Sequence, residues 1–535
     1  MVESGDWLVP RYRGEPFFDK PALAYWLMAA SMNVAGPTPA AGRMVSALAA
    51  LGVLGATVWL GGLLLGRRSA LCGGLVLATT LAFVSFGRLA MSDMLMTLFS
   101  TLAATLGVVA LGAAPPAWAT PALGAALGLG FLTKGPVAVL LPGLGLLLLA
   151  ARSRREGRRP PTPGALLLGT AVFVPVALGW FALVAHRLGP EPLRYFFLSE
   201  NLQRFAGAAY DSERPPWYYL TAYLALGLPW SPLLPLALRR AWRGTAAAPR
   251  FLLGWALLMA VPLTLSRGKI DYYLLPLLPP LSLAIGHLFA AGEWRAWERH
   301  AARGLLAASA GAMLLVARRP ATLPGDWLPG PSVLALCTAL LVGGAFLCLW
   351  AAVSVKPLRT LGVLAGVTAV LVFCLAAFFV PAFAAGQPQH ALLGDVREEL
   401  RYRPEAALVL CGDPARVQRV VLFEARRASQ ERCDLWAAAT GDAPALFVLD
   451  ADEQQTVGQT LRGVSAHRYL PAETLTLRGL VSSPRPAWLY LAANFAPRSP
   501  AALRKEAREY RRAVLARRAE REARERRATQ AESRR

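Results

Sequence analysis

The sequence predicts an all-α polytopic membrane protein that ends in a small α/β domain. Of its 535 residues, 55% are hydrophobic and only 17% are charged, and the mean hydropathy is +0.41. A soluble domain of this size could not bury so much apolar surface. About twelve apolar runs, of spanning length or somewhat shorter, follow one another between residues 44 and 382. They predict about twelve transmembrane helices.

The predicted spans are separated by short polar connections. Glycine and proline recur inside them, which membrane helices tolerate when neighbouring helices satisfy the backbone. The runs lie near residues 44–66, 70–87, 94–113, 118–132, 136–151, 164–186, 217–237, 250–266, 272–291, 304–318, 332–353 and 359–382.

Clusters of basic residues predict the orientation of these spans. They fall on alternate connections, which the positive-inside rule assigns to the cytoplasm. The polar connections between them, and both chain termini, are then expected on the extracytoplasmic face. The basic clusters are Arg67–Arg68, Arg152–Arg159, Arg239–Arg250, Arg295–Arg303 and Lys356–Arg359.

The formal net charge of +23 is explained largely by these topology signals, so no nucleic-acid partner is expected. No basic segment with a cleavage site precedes the first apolar run, which argues against a cleaved signal peptide. We therefore expect a multi-pass membrane protein whose chemistry takes place on the extracytoplasmic face.

Composition divides the chain into four predicted parts. The first part, residues 1–43, mixes charged residues, prolines and aromatic rings, a composition that is typical of a lipid-water interface. The third part, residues 386–500, contains strand-like runs at Ala406–Cys411, Ala445–Asp450 and Ala487–Leu491. These runs predict an α/β domain. The parts are an external loop with interfacial helices at 1–43, the membrane domain at 44–385, the extracytoplasmic domain at 386–500 and a charged tail at 501–535.

The tail is rich in Arg, Lys, Glu and Ala, which is typical of an exposed helix or a disordered segment. A surface for anionic lipid or polysaccharide is the alternative. Four of the six cysteines lie in apolar runs, where buried free thiols are expected. The other two, Cys411 and Cys433, lie in the external domain, where a disulfide is one of two open alternatives.

Asp93 is the first candidate for chemistry, because an ionisable residue at membrane depth is costly and is usually kept for a site. It lies directly before an apolar span. The alternative is an interfacial carboxylate that is favoured by the positive end of the helix dipole.

Several cations are predicted on the same face as Asp93. Lys134 and Lys269 each lie on an external connection, and Lys20 and Arg88 join them. Ammonium and guanidinium groups pair with phosphate, so the cluster predicts recognition of a lipid phosphate or diphosphate. A lysine that merely extends to the interface is the alternative for Lys134.

A long external segment between residues 194 and 220 adds Glu200 and Arg204 among aromatic residues. Its amphipathic pattern suits a helix that lies in the membrane plane. The alternative is an anchoring loop without a chemical role.

Five motifs follow one another along the chain. They are GDWLVPRYRGEPFFDKPALAYW, GRLAMSDMLM, LTKGP, YFFLSENLQRF with PPWYYL, and SRGKIDYYLLPLLPP. Taken in order, they resemble the motifs of the GT-C polyprenyl-phosphate-sugar glycosyltransferases, in particular the bacterial lipid A aminoarabinose transferases and the family 39 protein mannosyltransferase-like group. The resemblance covers roughly residues 1–290.

This resemblance implies a GT-C fold and an enzyme that moves a sugar from a polyprenyl-phosphate carrier to a lipid A-like or protein acceptor. It implies that Asp93 is a catalytic carboxylate before a membrane span and that Asp19 and Lys20 form the acidic-Lys-Pro motif, whose lysine contacts the donor phosphate. Lys134 matches the Lys-Gly-Pro motif. Lys269 and Tyr273 match Lys-Leu-x-x-Tyr, with isoleucine in place of leucine.

The chemistry agrees with these roles. Transfer from a phosphate-linked sugar needs a carboxylate near the acceptor hydroxyl and cations at the departing phosphate, where negative charge develops. The substrate-binding set that we predict consists of Asp19, Lys20, Arg88, Lys134, Glu200, Arg204, Lys269 and Tyr273.

Two departures from the family pattern bear on activity. Relatives have a first span and an Asp-Glu motif before Gly-Asp-Trp, so we expect a natural start upstream of Met1; an inactive truncated copy is the alternative. Asn201 stands where many relatives have histidine beside Glu200. An amide is a poor ligand for a transition metal, so a divalent metal is disfavoured and no cofactor is predicted.

A lipid-linked oligosaccharide transporter or flippase is the rival function, since it also needs many helices and interfacial cations. Such a protein should carry its charges along a path through the membrane, whereas here they gather on one side. The sequence selects neither a particular sugar nor the stereochemical outcome.

Overall fold

The computed structural model describes residues 1–2, 4–12, 15–158, 160–203, 214–244, 246–290, 294–318, 331–353, 355–374 and 376–377, together with the backbones of four later strands. The chain divides into two compact units. The first comprises residues 1–321 and 331–375, and the second comprises residues 322–330 and 376–535.

The described part of the first unit is almost entirely helical, apart from a two-residue antiparallel pair, β1 (Arg11–Tyr12) and β2 (Glu15–Pro16). A π-helix at Tyr195–Gln203 and 3₁₀ turns at Ser231–Leu233 and Asp271–Leu277 interrupt the α-helical series. In chain order the α-helices are α1 Leu23–Ala35, α2 Pro39–Leu65, α3 Arg67–Ala78, α4 Leu81–Phe86, α5 Ser92–Ala110, α6 Ala119–Lys134, α7 Val137–Arg155, α8 Pro163–Leu188, α9 Glu191–Arg194, α10 Tyr218–Leu226, α11 Leu234–Arg243, α12 Ala247–Leu265, α13 Leu278–Ala290, α14 Ala296–Arg318, α15 Pro331–Val353 and α16 Pro357–Cys374.

Within the described residues, eight helices are long and apolar enough to cross a membrane, and a ninth span results if one bent pair is counted. The predicted fold class, an all-α multi-pass membrane protein, is confirmed. The bent pair joins α10 to residues 231–243 at an angle of 114°. It falls in the predicted span 217–237, at a break that contains Gly227 and Pro229. Proline lacks the N–H that a continuous helix requires.

The other three predicted spans correspond to shorter or more polar helices. The run at 70–87 divides into α3 and α4 at two threonines, and α6 has only 16 residues. The run at 304–318 is the apolar part of α14, whose first turns contain Glu298, Arg299 and Arg303. Apolar length alone therefore overestimates the number of full spans.

The centre of the first unit is formed by α5 and by the segment Asp271–Ala290, of which 72% and 83% are buried inside the protein. Helices α3 and α13 approach so closely that a Cβ on Gly286 would lie 2.2 Å from the backbone nitrogen of Gly73. Small residues of this kind allow close helix packing in a membrane. The buried threonine hydroxyls of α5 are satisfied within the helix: Thr97 donates to the carbonyl oxygen of Asp93 at 2.8 Å, and Thr101 donates to that of Thr97 at 2.7 Å.

The second unit contains a four-stranded sheet in the order β3-β4-β6-β5. Its strands are β3 Ala407–Cys411, β4 Ala445–Asp450, β5 Leu477–Gly479 and β6 Ala487–Ala493. Strands β3 and β4 are parallel, whereas β6 is antiparallel to both of its neighbours. The three strands expected from sequence are present. The two alternatives for Cys411 and Cys433, a disulfide or free thiols, and the prediction for the tail at 501–535 lie outside the described residues.

Candidate active site

A cavity of about 550 Å³ lies where the loop before α1, the end of α6, the start of α7 and the π-helix meet. Four of the predicted charged residues line it, together with Tyr273. Most of the remaining wall is apolar. The charged residues are Asp19, Lys20, Lys134 and Glu200, and the apolar wall includes Met96, Val137, Leu140, Leu141, Phe196, Phe197, Pro262 and Leu263.

Asp93 and Lys134 form a buried ion pair. Asp93 lies in the first turn of α5 and Lys134 in the last turn of α6, positions at which the helix dipole favours an anion and a cation respectively. Only 6% of the Asp93 side chain and 8% of the Lys134 side chain are exposed. Lys134 borders the cavity, whereas Asp93 lies behind it.

The ammonium of Lys134 also faces two aromatic rings. Its Nζ atom lies 4.4 Å from the ring centroid of Tyr273 and 5.7 Å from that of Tyr272. Both distances fall within the range of a cation–π interaction. The structure thus brings together Asp93, Lys134 and Tyr273, which come from three separate sequence motifs.

The backbone conformation and the close packing at position 135 require a glycine after Lys134. Gly135 ends α6 with φ of +75°, and a Cβ at this position would lie 2.6 Å from the Cζ atom of Phe196. Glycine adopts this conformation without a steric cost. The turn therefore places the π-helix directly against the end of α6, beside Lys134.

A second polar network links the loop before α1 to the π-helix. Lys20 Nζ lies 3.3 Å from Glu200 Oε2, and it donates to the Asp19 carbonyl oxygen at 2.6 Å. The Tyr195 hydroxyl donates to Asp19 Oδ1 at 2.9 Å. Burial, with Asp19 and Glu200 nearby, raises the pKa of Tyr25. Tyr25 therefore stays protonated beside the two carboxylates.

The loop before α1 is held in place by its own contacts with α8. Trp180 Nε1 donates to the Leu8 carbonyl oxygen at 2.9 Å, and Arg187 Nη1 lies 3.1 Å from Asp6 Oδ1. Burial acts to raise the pKa of Asp6, but the amides of Val9 and Leu8 and the Arg187 guanidinium outweigh it and hold that pKa below its usual value. These contacts fix the chain that leads to Asp19 and Lys20.

The other predicted site residues are placed differently. Lys269 is buried and donates to the Ser266 carbonyl oxygen at 2.6 Å. Lys269 itself does not line the cavity, although Ser266 and Gly268 do. Arg88 is exposed beyond α4 and does not border the cavity. Arg204 lies outside the described residues.

Sequence reasoning missed two tyrosines of this region. Tyr195 contacts Asp19, as described above, and the Tyr218 hydroxyl donates to Asp271 Oδ1 at 2.5 Å. The aromatic runs around both positions were a signal, but pairing them with distant carboxylates requires the fold. The π-helix was also not predicted; π-helical turns occur often at functional sites.

Asn201, whose identity argues against a metal site, has a structural role here. Its Nδ2 atom donates to the Phe196 carbonyl oxygen at 2.7 Å. In the part of the chain that the structure describes, no group of three or more His, Cys, Asp or Glu side chains could hold a metal ion.

Comparison with known proteins places this geometry in a family context. Residues 19–180 match the family model described as dolichyl-phosphate-mannose-protein mannosyltransferase. The undecaprenyl phosphate-α-4-amino-4-deoxy-L-arabinose arabinosyl transferase of Pseudomonas aeruginosa (strain UCBPP-PA14) is 39% identical over 298 residues, which cover 54% of this chain and 52% of that protein. The transferase of the same name from Edwardsiella ictaluri is 34% identical over 289 residues, or 53% and 52% of the two chains. The match thus spans about half the length of these curated relatives.

The fold similarity extends much further than the sequence match. The crystal structure of ArnT from Cupriavidus metallidurans bound to undecaprenyl phosphate superimposes with a TM-score of 0.72 at 21% identity, covering 93% of this chain and 92% of that one. The apo structure of the same protein gives 0.71 at 20% identity, with coverage of 93% and 91%. At this level of identity the likeness establishes the fold. The chain is therefore a multi-pass membrane protein of the GT-C fold that resembles the lipid A aminoarabinose transferases.

Proposed function

We propose that the chain is a glycosyltransferase that takes a sugar from a polyprenyl-phosphate carrier and passes it to an acceptor at the outer face of the bacterial inner membrane. The observation that carries this proposal is the composition of the cavity. Lysines and carboxylates occupy one part of it, and leucine, proline and phenylalanine side chains form most of the rest. A substrate with a charged phosphate between a sugar and a long hydrocarbon chain matches both parts.

Lys20 and Lys134 are the proposed ligands of the donor phosphate. Both line the cavity, and their ammonium groups can form charge-assisted hydrogen bonds to phosphate oxygens. When the bond between the sugar and the phosphate breaks, negative charge grows on the phosphate. Fixed cations in a site of low dielectric constant stabilise that charge more strongly in the transition state than in the ground state. Lys269 follows the lining residue Gly268 in the chain and is a third candidate cation.

Asp93 is the proposed base at the reacting centre. In the absence of a donor it neutralises Lys134. A donor phosphate would compete for the same ammonium and leave the Asp93 carboxylate able to accept the proton of the acceptor hydroxyl. Donor binding and base activation would then be coupled through one lysine. Asp19 and Glu200 hold Lys20 and Tyr195 in position at the other side of the cavity.

The proposed acceptor is a lipid of the lipid A type. The names of the two transferases compared above describe transfer of an aminopentose from undecaprenyl phosphate, which makes that donor the first one to test. The family model is named for a protein acceptor, so a surface protein is the second acceptor to consider.

Mass spectrometry of lipid A and of surface proteins from cells that lack the gene tests this proposal. We expect lipid A to lose one sugar substituent in the deletion strain and to regain it when the wild-type chain or the control Lys356→Met is supplied. Asp93→Asn should not restore it. If lipid A were unchanged and surface proteins lacked a sugar, the proposed acceptor would be contradicted. If neither lipid A nor the surface proteins changed, the proposed function would be contradicted.

A further inference from the structure

A second cavity, of about 520 Å³, opens beside α7 at the end of that helix away from the candidate active site. Its wall is mainly leucine, and it opens toward the membrane, since Leu147 is 70% exposed and Leu166 is 52% exposed. Some 17 residues of helix separate Val137 at one cavity from Arg154 at the other, a rise of about 26 Å at 1.5 Å per residue. The polar ends of the two cavities therefore lie at opposite ends of α7, although Leu140 lines both cavities.

Two arginines line the mouth of this second cavity, Arg154 and Arg158. Backbone geometry fixes their relative position. Gly157 adopts φ of +71°, and the Arg158 amide donates to the Ser153 carbonyl oxygen at 2.9 Å, which folds the chain back over the end of α7. The Ser153 hydroxyl donates in turn to the Leu111 carbonyl oxygen at 3.3 Å and ties this turn to the end of α5.

The mouth of the second cavity is strongly basic. Residues 152–158 contain four arginines and one carboxylate, Glu156. Glu156 contacts two of them: its Oε1 atom lies 2.7 Å from Arg152 Nε, and its Oε2 atom lies 2.9 Å from Arg158 Nη2. One carboxylate cannot neutralise four guanidinium groups, and an excess of positive charge remains beside an apolar groove.

We propose that this second cavity is a binding site for one anionic phospholipid, with its phosphate at Arg154 and Arg158 and an acyl chain along the leucines of α7. Guanidinium groups match phosphate oxygens with paired hydrogen bonds. The basic connections are predicted to face the cytoplasm, where the membrane surface is rich in anionic lipid. This site is separate from the proposed transfer reaction and does not depend on it.

The tail of the polyprenyl donor is the competing occupant, because Leu140 borders both cavities. Such a tail would bring only hydrocarbon to the two arginines. The basic mouth therefore favours a lipid whose own phosphate lies at this surface.

The test is titration of the delipidated full-length chain in a neutral detergent with dioleoyl phosphatidylglycerol or dioleoyl phosphatidylcholine, monitored by native mass spectrometry. We expect one phosphatidylglycerol to bind in preference to phosphatidylcholine. The double variant Arg154→Ala, Arg158→Ala should weaken this binding roughly 20-fold, since each basic side chain near an anionic headgroup contributes about a factor of five.

A groove-filling variant provides a second line of evidence. A Cβ at Gly143 would meet no atom within 4 Å, and Gly143 lines the cavity, so Gly143→Trp should occupy the groove and block the phospholipid. Matched controls are Arg67→Ala in another basic connection and Gly164→Trp, whose Cβ would also meet no atom within 4 Å. Both controls should bind phosphatidylglycerol like the wild type.

Three results would overturn the proposal. The first is equal binding of the two phospholipids by the wild-type chain. The second is unchanged phosphatidylglycerol binding by the double variant Arg154→Ala, Arg158→Ala. The third is displacement of bound phosphatidylglycerol by one equivalent of undecaprenyl phosphate. The last result would assign the groove to the donor tail instead.

Discussion

Replacing Asp93 with asparagine or Lys134 with methionine is expected to abolish measurable sugar transfer and to lower the free energy of unfolding by about 3–5 kcal/mol. Each single change leaves a charge without its partner among side chains that are less than a tenth exposed, and breaking such a pair is costly. The double variant Asp93→Asn, Lys134→Met should regain most of the lost stability, because no unpaired charge remains. It should not regain activity.

Denaturant titration in detergent and a transfer assay on the same preparations measure the two effects separately. Lys356→Met, an exposed lysine on a basic connection, is the control for loss of a positive charge. If the double variant recovered transfer, the pair would be structural only. If Asp93→Asn alone retained wild-type transfer, Asp93 could not be the base.

Replacing Lys20 with methionine is expected to weaken the binding of undecaprenyl phosphate between about 10-fold and 100-fold, since a hydrogen bond to a charged group contributes about 1.5–3 kcal/mol. The Lys20 side chain is 26% exposed and its partner Glu200 is 7% exposed, but Glu200 keeps the Tyr195 hydroxyl at 3.5 Å when Lys20 is lost. The stability cost should therefore be smaller than for Lys134. Calorimetric titration of the purified chain with undecaprenyl phosphate measures this affinity.

Lys20→Arg and Lys356→Met are the matched variants for that titration. Lys20→Arg keeps the charge and should retain part of the affinity, while Lys356→Met should bind like the wild type. Equal affinity for undecaprenyl phosphate in Lys20→Met and the wild type would remove Lys20 from the proposed phosphate site.

The sequence predicted the membrane fold class and the helices that carry the site because both depend on local composition. Apolar length predicted most spans, and a polar residue at a helix end identified Asp93 and Lys134. Their pairing was not predicted, because the two residues are 41 positions apart and meet only through the packing of α5 on α6. Only the fold supplies that information.

Arg88 stays a prediction. The sequence groups it with the other cations of one face, whereas in the structure it lies beyond α4, is exposed and does not line the cavity. The bend after α10 and the π-helix at Tyr195–Gln203 were also not predicted. A search for apolar runs cannot locate a bend, and a period of 3.6 residues describes only α-helices. The π-helix carries Tyr195, whose hydroxyl donates to Asp19, so the predicted site was incomplete where the helices are irregular.

The most direct test of the central claim is a reaction of the purified full-length chain in bilayers with an undecaprenyl-phosphate-linked aminopentose and lipid A. Both products are quantified by mass spectrometry in the same sample. The proposed function predicts one equivalent of undecaprenyl phosphate released for each lipid A that gains a sugar, and no product with Asp93→Asn. Donor that crosses the bilayer with its sugar still attached, without glycosylated lipid A, would contradict the claim and indicate a transporter.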